Sequence, residues 1–238
     1  MNVNVRGALG TQIIELFYAM AFALENGKTI EKVKINVAGD VVPTTKLDWL
    51  SQVFVSLPFP IEIVQGSEKQ SAWTGESFQL ILKHRRAILE QISFQDVLYQ
   101  NEFPLVHVRA MDRQLVSKET YVDLIRSLDN PDIIGDDDAF LEELHMETDC
   151  FIAALDPVKD WYRVLNAKAV YGSLSSFTIS TLLIDPSKKL MLLPQKFSDG
   201  PHSLDDSYFI HVSNLFGIVP FAGWIKSLDR SMNIEPTA

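Results

Sequence analysis

The amino-acid sequence predicts an α/β protein of two units, each built on a parallel sheet, facing one another across a cleft. Three observations predict it. Short apolar runs of strand length alternate with longer runs whose apolar residues recur at helical spacing. Such alternation implies parallel strands joined by crossover helices. The pattern restarts near residue 100, and 238 residues suffice for two small domains. Turns rich in glycine, serine or charge also follow several of the strands, where open parallel sheets bind ligands. Two α/β units in one chain imply a cleft between them, a favoured ligand site.

Taken in order, Asn2 to Val5 reads as a strand and Gly7 and Gly10 permit a tight turn. From Gln12 to Glu25, Ile13, Phe17, Met20, Ala21 and Leu24 form one helical stripe. Asn26-Gly27 ends it, with glycine where a left-handed cap belongs. Val33 to Val37 is a strand, Leu47 to Phe54 a helix and Ile61 to Val64 a strand. Trp73 to Ile92 is a long helix carrying the basic run Lys83-His84-Arg85-Arg86, which reads as a solvated face. The second unit runs Phe103 to Val108 (strand), Lys118 to Leu128 (helix), Ile133-Ile134 (strand) and Ala139 to His145 (helix). It continues with Cys150 to Ala154 (strand), Val158 to Leu165 (helix), Ala167 to Tyr171 (strand), Ser176 to Ile184 (helix) and Leu190 to Leu193 (strand). Apolar helices follow Leu204, and residues 234 to 238 form a loose tail.

With 47 % hydrophobic and 22 % charged residues the chain can bury an ordinary core. No apolar run reaches the ~20 residues of a membrane-spanning helix. The polar start Met1 to Arg6 does not read as a secretion signal. The lone Cys150 excludes an internal disulfide and points to a reducing, cytoplasmic setting. A net charge of −10 argues against a protein built to grip nucleic acid. Any phosphate must be held by local positive groups against the overall field.

Three patches carry chemistry. In Gly7-Ala8-Leu9-Gly10-Thr11-Gln12 a glycine-rich turn opens a helix, whose first-turn N–H groups suit a phosphate. The plainer alternative is a tight βα turn. In His107-Val108-Arg109-Ala110-Met111-Asp112 strand alternation sends His107 and Arg109 to one face and Val106 and Val108 to the other. Arg109 offers a fork of donors matched to phosphate oxygens, and Asp112 can brace it. The alternative is a buried network tying the strand to its loop. In Ser173-Leu174-Ser175-Ser176-Phe177 a strand ends in serines that open a helix. One serine is an N-cap; the others suit a diphosphate. Asp136-Asp137-Asp138 lacks a full Mg²⁺ ligand set, and helix capping is its plainer reading. His84, His145, His202 and His211 show no metal-ligand spacing.

In order and spacing these patches resemble the fucosyltransferase superfamily of inverting glycosyltransferases, which includes α1,2- and α1,6-fucosyltransferases and protein O-fucosyltransferases. The family's Gly-x-Leu-Gly-Asn-Gln is matched by Gly7 to Gln12, with Thr11 in place of asparagine. Its His-x-Arg-x-x-Asp is matched by His107, Arg109 and Asp112. A Ser-Asp-Asp segment resembles Gly135-Asp136-Asp137, and an Asn-Ser-Ser/Thr-Phe-Ser stretch resembles Leu174 to Thr178, approached through Asp156 to Tyr162. The likeness covers roughly residues 5 to 185.

The resemblance implies a GT-B architecture of two Rossmann-like domains. Residues 1–100 would form the acceptor-side domain and 101–238 the nucleotide-sugar-binding domain. It implies transfer of fucose from GDP-fucose to a glycan hydroxyl, with no metal and no other cofactor. Arg109 would bind the donor diphosphate and stabilise it as it leaves, and His107 would fix the nucleotide. Ser173, Ser175, Ser176 and Phe177 would line the phosphates, while Gly10, Thr11 and Gln12 would face the donor from the other domain. Asp112 and Glu15 are the motif carboxylates available as a base. Three departures stand out: Thr11; Ala110, where several members have a second arginine; and Lys168, where related enzymes often have an aspartate that reads guanine. They support a competing reading, a non-catalytic relative that binds a nucleotide sugar or glycan or serves as an interaction module. A third reading, an unrelated phosphate-binding protein, makes the motif order chance.

Overall fold

A computed structural model describes residues 1–36, 49–64, 75–95, 103–110, 116–150, 152, 156–173, 175–193, 215 and 219–220. The chain forms two compact α/β units. The first comprises Met1–Tyr99, Pro157–Leu165 and Ser175–Pro186; the second comprises Gln100–Asp156, Asn166–Leu174 and Ser187–Ala238. The first unit's long N-terminal stretch ends at Tyr99, and two helices from the C-terminal half cluster with it.

The first unit contains β1 (Asn2–Arg6), α1 (Leu9–Glu25), β2 (Lys32–Asn36), α2 (Trp49–Val53), β3 (Phe54–Ser56), β4 (Ile61–Val64), α3 (Gly75–Leu89) and β5 (Ser93–Phe94). It also holds α6 (Pro157–Asn166), apart from its last residue, and α7 (Ser176–Ile184). Strands β1, β2 and β4 pair in parallel, aligning Val3 with Val33 and Val33 with Ile61. Helix α1 buries far more than one stripe: Ile14, Leu16, Ala19 and Ala23 are buried beside Ile13, Phe17, Met20 and Ala21. Leu24, expected on the stripe, is 36 % exposed. The reason is that α1 packs against both α3 and α7, so its apolar surface is partnered on more than one side. Lys28 N–H donates to the Ala23 carbonyl and Gly27, at φ 59°, to that of Leu24, closing the helix in a Schellman turn.

Two features depart from the sequence-based expectation. The helix expected over Leu47 to Phe54 ends at Val53, and Phe54 instead opens β3, antiparallel to β5. The partner is supplied from forty residues on: Phe54 faces Phe94 with ring centroids 5.3 Å apart, and Phe94 stacks on Trp161 of α6. Tyr162 donates its hydroxyl to the Val53 carbonyl at 2.6 Å and accepts Gln95 N–H at 3.0 Å, which fastens α6 to this pair. The basic run is also not one solvated face. Lys83 and His84 hold Glu25, and Arg86 pairs with Glu90. Arg85 instead donates to the carbonyls of Leu183 (2.8 Å) and Ile184, capping the C-terminus of α7. Those carbonyls lack helical partners and carry the negative end of the dipole, so a guanidinium suits them.

The second unit contains β6 (Leu105–Val108), α4 (Lys118–Ser127), β7 (Asp132–Gly135), α5 (Asp138–Thr148), β8 (Ala169–Gly172), β9 (Lys189–Leu192) and β10 (Val219–Pro220). Its sheet is parallel in the order β10-β9-β8-β6-β7. Val106, Val108 and Ile133 pack under Tyr121, Val122, Leu124 and Ile125 of α4 and Leu141 and Leu144 of α5. Of the strand expected over Cys150 to Ala154, Ile152 bridges Ile133 in parallel, and residues 151 and 153–155 lie outside the described set. Of the closing helices expected after Leu204, residue 215 is helical, Val219–Pro220 form strand β10 instead because they pair in parallel with β9, and the rest lies outside the described set.

Gly10 is where α1 meets α7. A Cβ there would lie 2.4 Å from the Phe177 nitrogen and 2.5 Å from its Cα, so the contact is backbone on backbone. Gly10→Ala is expected to lower unfolding stability by about 1–3 kcal/mol, the usual range for overpacking, read as a reduced urea midpoint at unchanged slope.

Candidate functional site

The strand order of the second unit points to a candidate site. From β6 the chain crosses to β7 on one side, then returns to β8 on the other side and continues outward to β9 and β10. The connections therefore diverge at the β6–β8 pair, and open α/β sheets bind ligands outside the carboxyl ends of strands at such a switch point. His107 is aligned with Gly172 across that pair. Any Cβ at Gly172 would lie 2.7 Å from the His107 carbonyl oxygen and 3.3 Å from its Cβ. The glycine thus lets the His107 carbonyl and Cβ pack closely against β8.

His107 alternates away from Val106 and Val108, as strand geometry demands, and is 6 % exposed. Burial first, and the charge of Arg109 second, pull its imidazole down to about 3, so it is neutral at ordinary pH. Arg109 follows the last residue of β6 and is half-buried. Its backbone N–H donates to the Tyr121 hydroxyl at 3.3 Å, and the next N–H, of Ala110, donates to Asp136 Oδ1 at 2.8 Å. Two successive N–H groups are therefore held by side chains, one from α4 and one from the turn after β7. Tyr121 is fully buried, and burial pushes its phenol up to about 12. The Ser173 hydroxyl, at the end of β8 and fully buried, lies beside the Tyr121 oxygen without the geometry of a regular hydrogen bond.

The sequence-derived residues fall into two groups. In the second unit His107, Arg109 and Ser173 come together at the carboxyl ends of β6 and β8. Asp112 lies outside the described residues. In the first unit the Gly7–Gln12 turn meets the start of α7: Thr11 Oγ1 donates to Ser176 Oγ at 3.2 Å over the Gly10 contact with Phe177. Gln12 Nε2 donates to the Gly7 carbonyl at 2.9 Å, bracing the turn. Ser175 is the N-cap of α7, accepting from Thr178 N–H. Glu15 is buried within α1 and Lys168 is exposed. The serine-rich turn is thus divided, with Ser173 in the second unit and Ser175 and Ser176 in the first.

Asp137 caps α5 by accepting Phe140 N–H at 3.0 Å, which leaves Asp136 to hold Ala110. Among the described residues no three His, Cys, Asp or Glu side chains are grouped to hold a metal ion. None of the described helices is long and apolar enough to cross a membrane. Tyr121 is the site residue that sequence reasoning missed. It reads there as one apolar position of a helix, and nothing local announces that its oxygen reaches the end of β6.

No family model matches this chain, and no curated protein does. Among solved structures it is similar to a protein designated a UDP-N-acetylglucosamine 2-epimerase from Listeria monocytogenes. The TM-score is 0.37 at 10 % identity, covering 93 % of this chain and 70 % of the other. A superposition that loose carries no argument about chemistry; the α/β class rests on the chain's own parallel sheets.

The neutral His107 makes stability depend on pH. Its folded value, about 3, lies below the ordinary 6.5, so between these values the unfolded chain binds a proton that the native one does not. This contribution is present above pH 6.5 and lost as pH falls toward 3. In urea titrations between pH 7 and pH 4, the His107→Gln midpoint is expected to fall less steeply than that of the wild type. Parallel curves would show that His107 charges in the native state.

Proposed function

We propose that this chain is an inverting, fucosyltransferase-like glycosyltransferase that moves fucose from GDP-fucose onto a hydroxyl of a glycan acceptor. The observation that carries the reading is the place of Arg109. It stands at the carboxyl end of β6 where the sheet's connections diverge, beside a neutral His107 and the end of β8. An arginine there presents parallel donors to a diphosphate, which leaves the guanidinium as the fixed positive charge beside a neutral imidazole. The motif order along the sequence supplies the reaction class.

In this reading the sugar C1–O bond breaks and its electron pair remains on the diphosphate oxygen. Arg109 stabilises that growing charge, the effect usually worth most in such sites. An acceptor hydroxyl forms the new bond from the opposite face of the oxocarbenium-like sugar, inverting the anomeric centre. Its proton passes to a base, for which Asp112 is the candidate the motif offers. His107 fixes the nucleotide and Ser173 takes a phosphate oxygen. Gly10, Thr11, Gln12, Ser175, Ser176 and Phe177 keep the donor-binding roles that the resemblance gives them. No metal is required, since the diphosphate charge is met by Arg109 and backbone N–H groups.

A second reading, a non-catalytic relative that binds a nucleotide sugar or glycan, is favoured by one set of contacts. Gly10, Thr11, Ser175 and Ser176 all have partners inside the first unit that account for them without a ligand. Thr11, Ala110 and Lys168 point the same way.

The two readings separate by acceptor-dependent GDP release. Arg109→Ala is expected to lose ~10²–10³ in turnover; binding with no turnover in the wild type would select the second reading. A thermal-shift series with GDP, UDP, CDP and their sugars tests the donor, since a ligand of the native state stabilises it by RT ln(1 + [L]/Kd). GDP and GDP-fucose are expected to raise Tm. A rise with another nucleotide and none with GDP would refute the donor assignment.

A further inference from the structure

We propose that Tyr121 is a positioning residue for Arg109, acting through its backbone; the inference rests on the reading of Arg109 as the diphosphate-binding group. Tyr121 sits on α4, outside every motif of the sequence, yet its hydroxyl accepts Arg109 N–H at 3.3 Å and lies beside Ser173 at the end of β8. A single oxygen thus holds the chain following β6 and lies beside the chain following β8, the two strands of the switch point. Its ring is held in place by the core: it is fully buried and meets Phe140 edge-on, with centroids 6.2 Å apart at 74°. The hydroxyl therefore has little freedom to follow a shifting loop. Asp136 holds the next N–H, of Ala110, from the turn after β7. Together they fix where the Arg109 side chain starts, and an error of about 1 Å in such a start can cost ~10²-fold in rate.

Tyr121→Phe removes the oxygen and keeps the ring. Tyr162→Phe is its control: that hydroxyl likewise accepts a backbone N–H, of Gln95, donates to the Val53 carbonyl, and belongs to the first unit's packing. Both variants are expected to lose similar stability. Tyr121→Phe alone is expected to weaken binding of inorganic pyrophosphate by on the order of tenfold, and to lower kcat with GDP-fucose more than it raises KM. Full-strength pyrophosphate binding and kcat in Tyr121→Phe, or equal losses in both variants, would overturn the proposal. If pyrophosphate binding falls in Tyr121→Phe only and the wild type turns over no donor, the positioning role stands and the transferase reading fails. If the wild type turns over donor and Tyr121→Phe does so equally well, the transferase reading stands and this one fails. Should Tyr121→Phe not fold, the exposed Asp136→Ala carries the test with a favourable sign. Losing a carboxylate would by charge alone tighten anion binding, so weaker pyrophosphate binding supports the proposal and unchanged or tighter binding overturns it.

Discussion

Parallel pairing of β6 with β8 places His107 directly opposite Gly172, and the second unit's candidate site depends on that alignment. A parallel ladder holds its register by regular hydrogen bonds, and a slip by one residue would send every side chain to the other face. Here a slip would also bring a side chain against the His107 carbonyl, because only position 172 lacks one at this point of β8. Register and glycine therefore specify each other. With both in place, Arg109 and Ser173 follow their strands by one residue each and emerge at the same sheet edge.

The site's architecture is mostly a matter of backbone N–H groups finding oxygen atoms. Beyond the end of β6 the ladder no longer supplies partners, and unpaired polar groups near the interior are unfavourable. Tyr121 takes one N–H, and Asp136 takes the next. The same logic organises the first unit. Ser175 meets the first turn of α7, Arg85 meets its last carbonyls, and Tyr162 meets Val53 and Gln95. Polar side chains from helices, caps and turns complete segments that their own ladders leave open.

Charge is handled just as locally. The chain as a whole is strongly acidic, yet His107 stays neutral through burial and a neighbouring guanidinium. The aspartates after β7 serve the backbone: one caps a helix and another holds a loop N–H. Residues that share a sequence patch thus serve different ends, as the serines of the third patch also do.

Local pattern by itself determined most of the elements, because burial on one face imposes a period of two or of about 3.6 that can be read directly. Ser176 to Ile184 and Ile61 to Val64 have the bounds that reading sets, and the N-cap of α5 was visible in its aspartates. Also legible were His107 opposite in facing to Val106, and the placing of Arg109 at a strand's carboxyl end. Tertiary structure alone decided the rest, because the deciding partners lie far along the chain. Phe54 extends as a strand only because Phe94 pairs with it, and α1 buries several sides because α3 and α7 both pack on it. Gly10 is demanded by the backbone of Phe177, and Tyr121 earns its place through an oxygen that reaches Arg109. No periodicity encodes such contacts, since they join residues whose separation in sequence bears no relation to their distance in space.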